Sequence, residues 1–357
     1  MKCLAATIFA LLLGVSGCST KALNSDPSTD ISPTALRLRF SPIAVPVAQN
    51  AAQVNLGRQL YYDPRLSVNN SISCNSCHGL TALYGADDSA FSDGYKGQKG
   101  GRNAPTVYNS ALEFAQFWDG RAADLAAQAK GPIQNPVEMG MPNGDLVVSR
   151  LKGVPEYQKE FKAAFPSSKD PVTFDNVATA IAAFEDGLMT PAPWDKYLEG
   201  DTAALTADQK HGLRIFLKTG CAACHAGRDM GGNSYERLGY VCKWKDTHDL
   251  GRYQVTGADR DRMYFKVPTL RNIAKTGPYF HDGSISSLDQ AVRLMAKYEC
   301  GVKLDQRKVA LIVDFLGSLT GELPQEYIAK PVLPPMAASN SPDSGTKSSA
   351  RKEASQK

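Results

Sequence analysis

The sequence predicts a mainly α-helical chain built as two similar modules with long loops. Three observations lead there. Apolar residues recur at spacings of three and four, as at Val177, Ile181 and Phe184, which is the period of a helix with one buried face. Long alternating runs of the kind that half-buried strands require are scarce. One cysteine pattern occurs twice, as Cys74-Asn75-Ser76-Cys77-His78 and Cys221-Ala222-Ala223-Cys224-His225. Similar segments precede the two copies, Leu56-Gly57-Arg58-Gln59-Leu60-Tyr61 and Gly212-Leu213-Arg214-Ile215-Phe216. At 357 residues the chain also exceeds a typical single core, so two domains are expected.

The chain opens on an export signal. Lys2 supplies a positive start, and Leu4 to Val15 is an apolar run too short to span a bilayer as a mature helix. Val15-Ser16-Gly17-Cys18 has the form of a lipobox, which predicts a lipid anchor on Cys18. Ser19 in place of an acidic residue points to the outer membrane, facing the periplasm. Residues 19–34, rich in Ser, Thr, Asp, Asn and Pro, read as a flexible tether. Pro-, Ser- and Lys-rich residues 337–357 read as a disordered tail.

Between these ends helices are predicted at Leu125–Lys130, Leu146–Leu151, Pro155–Ala164, Asp175–Phe184, Thr206–Leu217, Ser287–Tyr298 and Gln306–Ser318. Loops are predicted at Gly94–Pro105, Gly131–Gly144 and Gly227–Gly239, with a joint between modules near Thr190–Asp195. Hydrophobic residues at 43% and charged residues at 21% describe an ordinary globular protein. A net charge of +4 with no basic stripe gives no reason to expect nucleic acid as a partner.

The repeated pattern carries the chemistry. Two thiols three residues apart can add to the two vinyl groups of one haem, and the adjoining histidine reaches the iron. A zinc knuckle would need further Cys or His at matching spacing, and a thioredoxin-like dithiol would need a βαβ setting. Two of the five histidines close these motifs. Two covalent haem c groups are therefore expected, on Cys74, Cys77 and His78 and on Cys221, Cys224 and His225. Each iron then has either a sixth ligand, suited to electron carriage, or an open position, suited to catalysis. Candidates in the second half are Met230, Met263, Met295, His248 and His281. Of eight cysteines, Cys242 and Cys300 remain; a disulfide between them is one of two open outcomes.

From Leu56 to Gly321 the sequence resembles the bacterial di-haem cytochrome c peroxidases. The resemblance rests on Leu56–Ser67, Arg102-Asn103-Ala104-Pro105-Thr106, Gln116–Ala122, Gly131–Met139, Phe265–Asn272 and Pro278–Gly283, together with both haem motifs in order. It implies a peroxidatic haem domain over 35–190, an electron-transfer haem domain over 191–321, and a segment, 322–336, that returns to the first. It also implies Gln128 and Glu138 beside the first haem, Trp118 between the haems, Met295 as the sixth ligand of the second haem, and calcium at Asn103, Thr276 and Pro278.

The implied reaction is reduction of hydrogen peroxide with electrons from a small cytochrome c or cupredoxin, in an enzyme that often forms homodimers. Related di-haem enzymes instead oxidise side chains of a partner protein, but they carry tyrosine where Met295 stands. A non-catalytic electron carrier is the third reading. One departure stands out. Many family members have a histidine after the first motif that blocks the oxidised iron, and here Tyr95 occupies that position. The blocking ligand is therefore expected to be lost, with a Tyr95 phenolate on iron as the alternative.

Overall fold

A computed structural model describes residues 30–47 and 50–335. The signal with Cys18, the tether up to residue 29 and the 337–357 tail lie outside the described residues. Among the described residues, strand is confined to Tyr235–Arg237, paired antiparallel with Tyr264–Lys266; the rest is helix and long loops.

The longer helices are α1 (Ala51–Tyr62), α2 (Leu125–Gln134), α3 (Gly144–Lys152), α4 (Pro155–Ala164), α5 (Phe174–Glu185), α6 (Pro193–Leu198), α7 (Ala207–Thr219), α8 (Leu288–Tyr298) and α9 (Gln306–Gly317). Local chemistry sets their starts. Asn50 accepts from the Gln53 amide at the head of α1, and Thr173 accepts from Asn176 at the head of α5. Thr206 and Gln209 cap each other's backbone at the head of α7. Each of these bonds satisfies a donor that the first helical turn leaves unpaired. At its far end α7 stops on Gly220, whose φ of 96° is open to glycine at little cost, and the chain turns directly into Cys221.

Two apolar cores follow from the helix faces. The first joins Leu56 and Leu60 of α1 to Val177 and Ile181 of α5, with α2, α3 and α4 around them. The second joins Leu213 and Phe216 of α7 to Ile312 and Phe315 of α9, with Leu288, Val292 and Ala296 of α8 against it. The sequence echo has a packing cause. A methyl group on Gly57 would collide with the Ala180 carbonyl oxygen, and one on Gly212 with the Leu311 carbonyl oxygen. In each half a glycine thus lets the helix before the motif lie against the backbone of a later helix.

Two expectations need correction. Helix α2 continues through Gly131 and Pro132 to Gln134. The 227–239 loop contains the strand Tyr235–Arg237. The joint near Thr190–Asp195 holds helix α6, whose Trp194 is fully buried against Phe40 and Phe315. Ile31, Leu36 and Phe40 also lie in this second core, so the chain ahead of α1 is drawn into the C-terminal half. Conversely, Ile328 packs with Tyr61, Tyr62 and Phe184, and its carbonyl accepts from the Tyr62 hydroxyl.

A buried polar seam joins the halves. Asn109 donates to the Thr190 hydroxyl at 2.9 Å, Asn272 donates to the same oxygen at 2.9 Å, and Asn272 accepts from the Gly321 amide. Nearby, Asp195 takes both terminal nitrogens of Arg271, at 2.7 and 2.9 Å, and the amides of Ile43 and Ala192.

Gly57→Ala and Gly212→Ala should each lower stability by about 1–3 kcal/mol through overpacking, despite a helix-propensity gain of roughly 1 kcal/mol. Thermal unfolding of the two variants against the parent chain measures this.

Candidate active site

The two histidines of the repeated motif are held alike. His78 follows a one-turn helix over Cys74–Cys77, and its Nδ1 lies 3.2 Å from the Gly85 carbonyl oxygen. His225 follows the turn Cys221–Ala223, and its Nδ1 lies 3.2 Å from the Met230 carbonyl oxygen. With Nδ1–H donating to a carbonyl, Nε2 is left as the lone-pair nitrogen that a metal needs. Burial lowers the basicity of both rings, that of His225 to about 4, so both are neutral at physiological pH and fit to ligate.

The scaffold behind them also repeats. Pro105-Thr106-Val107-Tyr108-Asn109 and Pro268-Thr269-Leu270-Arg271-Asn272 share the form Pro-Thr-x-x-Asn. Thr106 donates to the Tyr84 carbonyl at 2.6 Å, and Thr269 donates to the Asp229 carbonyl at 2.9 Å. Asn109 and Asn272 both take left-handed backbone, with φ of 64° and 61°. The Pro105 carbonyl faces His78 and the Pro268 carbonyl faces His225. This second repeat was legible in the sequence as a five-residue pattern and was missed there.

A cavity of about 870 Å³ opens on the first motif, within the range that ligand and cofactor sites occupy. Cys74, Cys77, His78, Gln128, Glu138 and Trp118 all line it. The donor set fits haem c: two thiols and an imidazole with a free Nε2 share the wall of a cavity large enough for a cofactor. Burial pushes both Cys74 and Cys77 thiols up.

Glu138 is braced by Asn135, whose amide donates to Oε1 at 2.8 Å. Burial raises its pKa, while Arg121 and the Asn135 bond pull it back. Arg121 is itself tied to Asp119 at 3.1 Å and lies 3.5 Å over the Phe117 ring. Tyr95 does not line the cavity. Its amide donates to the Glu138 carbonyl at 2.7 Å, while its ring packs towards Gly140 and Val68.

Trp118 stands between the halves. Its indole donates to the Asn103 carbonyl at 2.9 Å, its carbonyl accepts from Lys266 in the second half, and its ring meets that of His281 edge-on. Lys266 forms a buried ion pair with Glu113 on the cavity wall. Asn103 is buried; its amide nitrogen donates to Ser89 and its backbone meets the His281 carbonyl. Thr276 and Pro278 are half-buried in the following segment, and no hydrogen bond joins them to Asn103.

Among the other candidate ligands, Met230 and Met263 are buried and the His248 side chain is 98% exposed. Met295 is half-buried, in the stripe of α8 that includes Leu288 and Val292. The Cys242–Cys300 bridge is not formed. Cys300 carries a free thiol and lies near Cys221, since the chain turns towards the second motif at the end of α8.

The profile of the di-haem cytochrome c peroxidase family matches residues 51–203. Cytochrome c551 peroxidase of Nitrosomonas europaea is 45% identical over 298 residues, covering 83% of this chain and 87% of that protein. The chain belongs to the di-haem cytochrome c peroxidase family. Membership brings haem c as the cofactor. Within the wider family, methylamine utilization protein MauG of Methylorubrum extorquens is 38% identical, over 77% of this chain and 78% of its own. The solved structure of a MauG-like protein associated with microbial copper homeostasis superposes with a TM-score of 0.70 at 27% identity, covering 82% of this chain and 96% of that one. No described helix is long and apolar enough to cross a membrane.

Lys266→Ala should cost about 3–5 kcal/mol, because Glu113 is left as an unpaired buried charge. Replacing both partners together, Glu113→Leu with Lys266→Met, should cost less. Chemical denaturation of the single and double variants decides it.

Proposed function

We propose that this chain reduces hydrogen peroxide to water, taking electrons one at a time from a small cytochrome c or cupredoxin. One haem is assigned to Cys74, Cys77 and His78. The other is assigned to Cys221, Cys224 and His225, with Met295 as the thioether that would also hold its iron. The observation that carries the reading is Glu138, braced by Asn135 and sharing with Gln128 the cavity onto which His78 faces.

Bound haem would supply the redox chemistry and an electrophilic iron. The side chains supply the rest. Glu138, ionised, accepts the proton of the nearer peroxide oxygen and delivers it to the departing one, so that the O–O bond breaks towards water. The Gln128 amide orients the peroxide by hydrogen bonding. Arg121, on the same wall, favours the ionised form of Glu138. A haem held by His225 and the Met295 thioether would have a raised potential, suited to receiving the electrons, and Trp118 spans the gap between the halves.

Asn103, Thr276 and Pro278 are the oxygen donors proposed for Ca²⁺. Cys18 anchors the mature protein to the outer membrane, in the periplasm, where it works as a homodimer. The MauG relative supports a second reading, oxidation of side chains on a partner protein, against which Met295 stands.

Glu138→Gln should lower kcat/KM for peroxide about 10²–10⁴-fold with both haems still attached. Because burial raises the Glu138 pKa, the acid limb of activity in the parent enzyme should lie above the ordinary glutamate range. Arg121→Leu should move that limb to higher pH, since the cation that favours ionisation is gone; a limb that stays put removes Arg121 from this role. The orientation of Tyr95 predicts that the fully oxidised enzyme turns over without pre-reduction and has one high-spin and one low-spin haem by paramagnetic resonance. Two low-spin centres and a lag relieved by half-reduction would restore a blocking ligand.

A further inference from the structure

Glu185, the last residue of α5, is 4% exposed. It lines the same cavity as the first motif, and its Oε2 is sealed from solvent without a hydrogen-bond partner. A carboxylate there has three physical disadvantages. It is desolvated, it stands at the negative end of a helix, and it has no counter-ion.

The cations on the cavity wall are committed elsewhere. Arg102 bridges Asp119 and Asp249, Arg121 holds Asp119, and Lys266 holds Glu113. The elements packed on α5 offer nothing better. On α1, the Tyr61 phenol donates to the His78 carbonyl and Arg58 reaches the carbonyls of Glu326 and Tyr327. On α2, Lys130 pairs with Asp175 at the opposite end of α5. On α3, Arg150 is spent on carbonyls of residues 65–68. The motif turn brings only the Cys74 thiol close.

We propose that Glu185 is a proton-binding group coupled to reduction of the haem carried by Cys74 and Cys77. An electron delivered to that haem by the donor protein, or by dithionite in a titration, adds one negative charge to the cavity. Where the oxidised state holds Glu185 as a carboxylate, it then takes up one proton from solvent and becomes the carboxylic acid, so charge and atoms balance. The inference deepens the peroxidase reading and rests on the first haem being attached at Cys74 and Cys77.

Burial alone raises Glu185 to about 8. Below that pH the acid is protonated in both redox states and the midpoint potential is flat. Above it the oxidised state has lost the proton and the reduced state regains it. The potential then falls by tenfold in electron affinity per pH unit, about 59 mV, until the acid ionises in the reduced state as well.

The test is a spectroelectrochemical titration of the loaded protein between about pH 6 and pH 10, following the lower-potential haem, on the parent chain and Glu185→Gln. A flat region that breaks into a one-proton slope in the parent, and its loss in Glu185→Gln, is the expected result. A pH-independent potential in the loaded parent, or an unchanged slope in the variant, overturns the assignment. Should Glu185→Gln not load haem, reduced-minus-oxidised infrared spectra of the parent above pH 8 decide instead. A carboxylic acid carbonyl band must grow on reduction and must survive Glu138→Gln; its absence overturns the proposal. Peptide mass spectrometry finding no haem on Cys74 and Cys77 would instead sink the peroxidase reading beneath it.

Discussion

The hydrogen bond from each motif histidine to a backbone carbonyl is the constraint on which the remaining architecture turns. An imidazole free to rotate would present either nitrogen to a metal; one anchored through Nδ1 presents only Nε2. Gly85 and Met230 can serve as anchors because the loops after the motifs curl back, and those loops are stapled by Thr106 and Thr269. The staples in turn belong to segments ending at Asn109 and Asn272, which enter the seam between the halves. Ring orientation, loop path and domain contact are thus successive links of one hydrogen-bonded chain, built twice.

Much of this was legible in sequence, and the exceptions have physical causes. Helices α7 and α9 carry side-chain caps, α4 opens on Pro155, and all three have a clear apolar period, so local chemistry fixes them. Helix α6 is six residues of Pro, Trp, Asp, Lys, Tyr and Leu, too short for periodicity to speak. Burial of Trp194 between Phe40 and Phe315, with the bonds of Asp195 to the Ala192 amide and to Arg271, orders it. The 131–134 stretch reads as loop from its Gly and Pro, yet the helix begun at Leu125 runs through it while buried Ile133 holds it to the first core.

At the site, the Cys and His residues declare themselves because their chemistry is written in contiguous residues. Gln128 and Glu138 were reached only through resemblance, since their meeting with His78 across the cavity is a tertiary fact. Glu185 carried no sequence signal at all. It closes an ordinary amphipathic helix, and its isolation arises from what the other walls do with their cations. The position of Cys300 against Cys221 is of the same kind.

The seam of Asn109, Thr190 and Asn272 has a kinetic meaning. Amides and a hydroxyl sealed from water cannot trade partners with solvent, and the neighbouring Asp195–Arg271 fork is sealed with them. The spacing of the two halves is therefore stiff. If electrons pass between the halves beside Trp118, as proposed, they cross a gap whose width these sealed bonds hold.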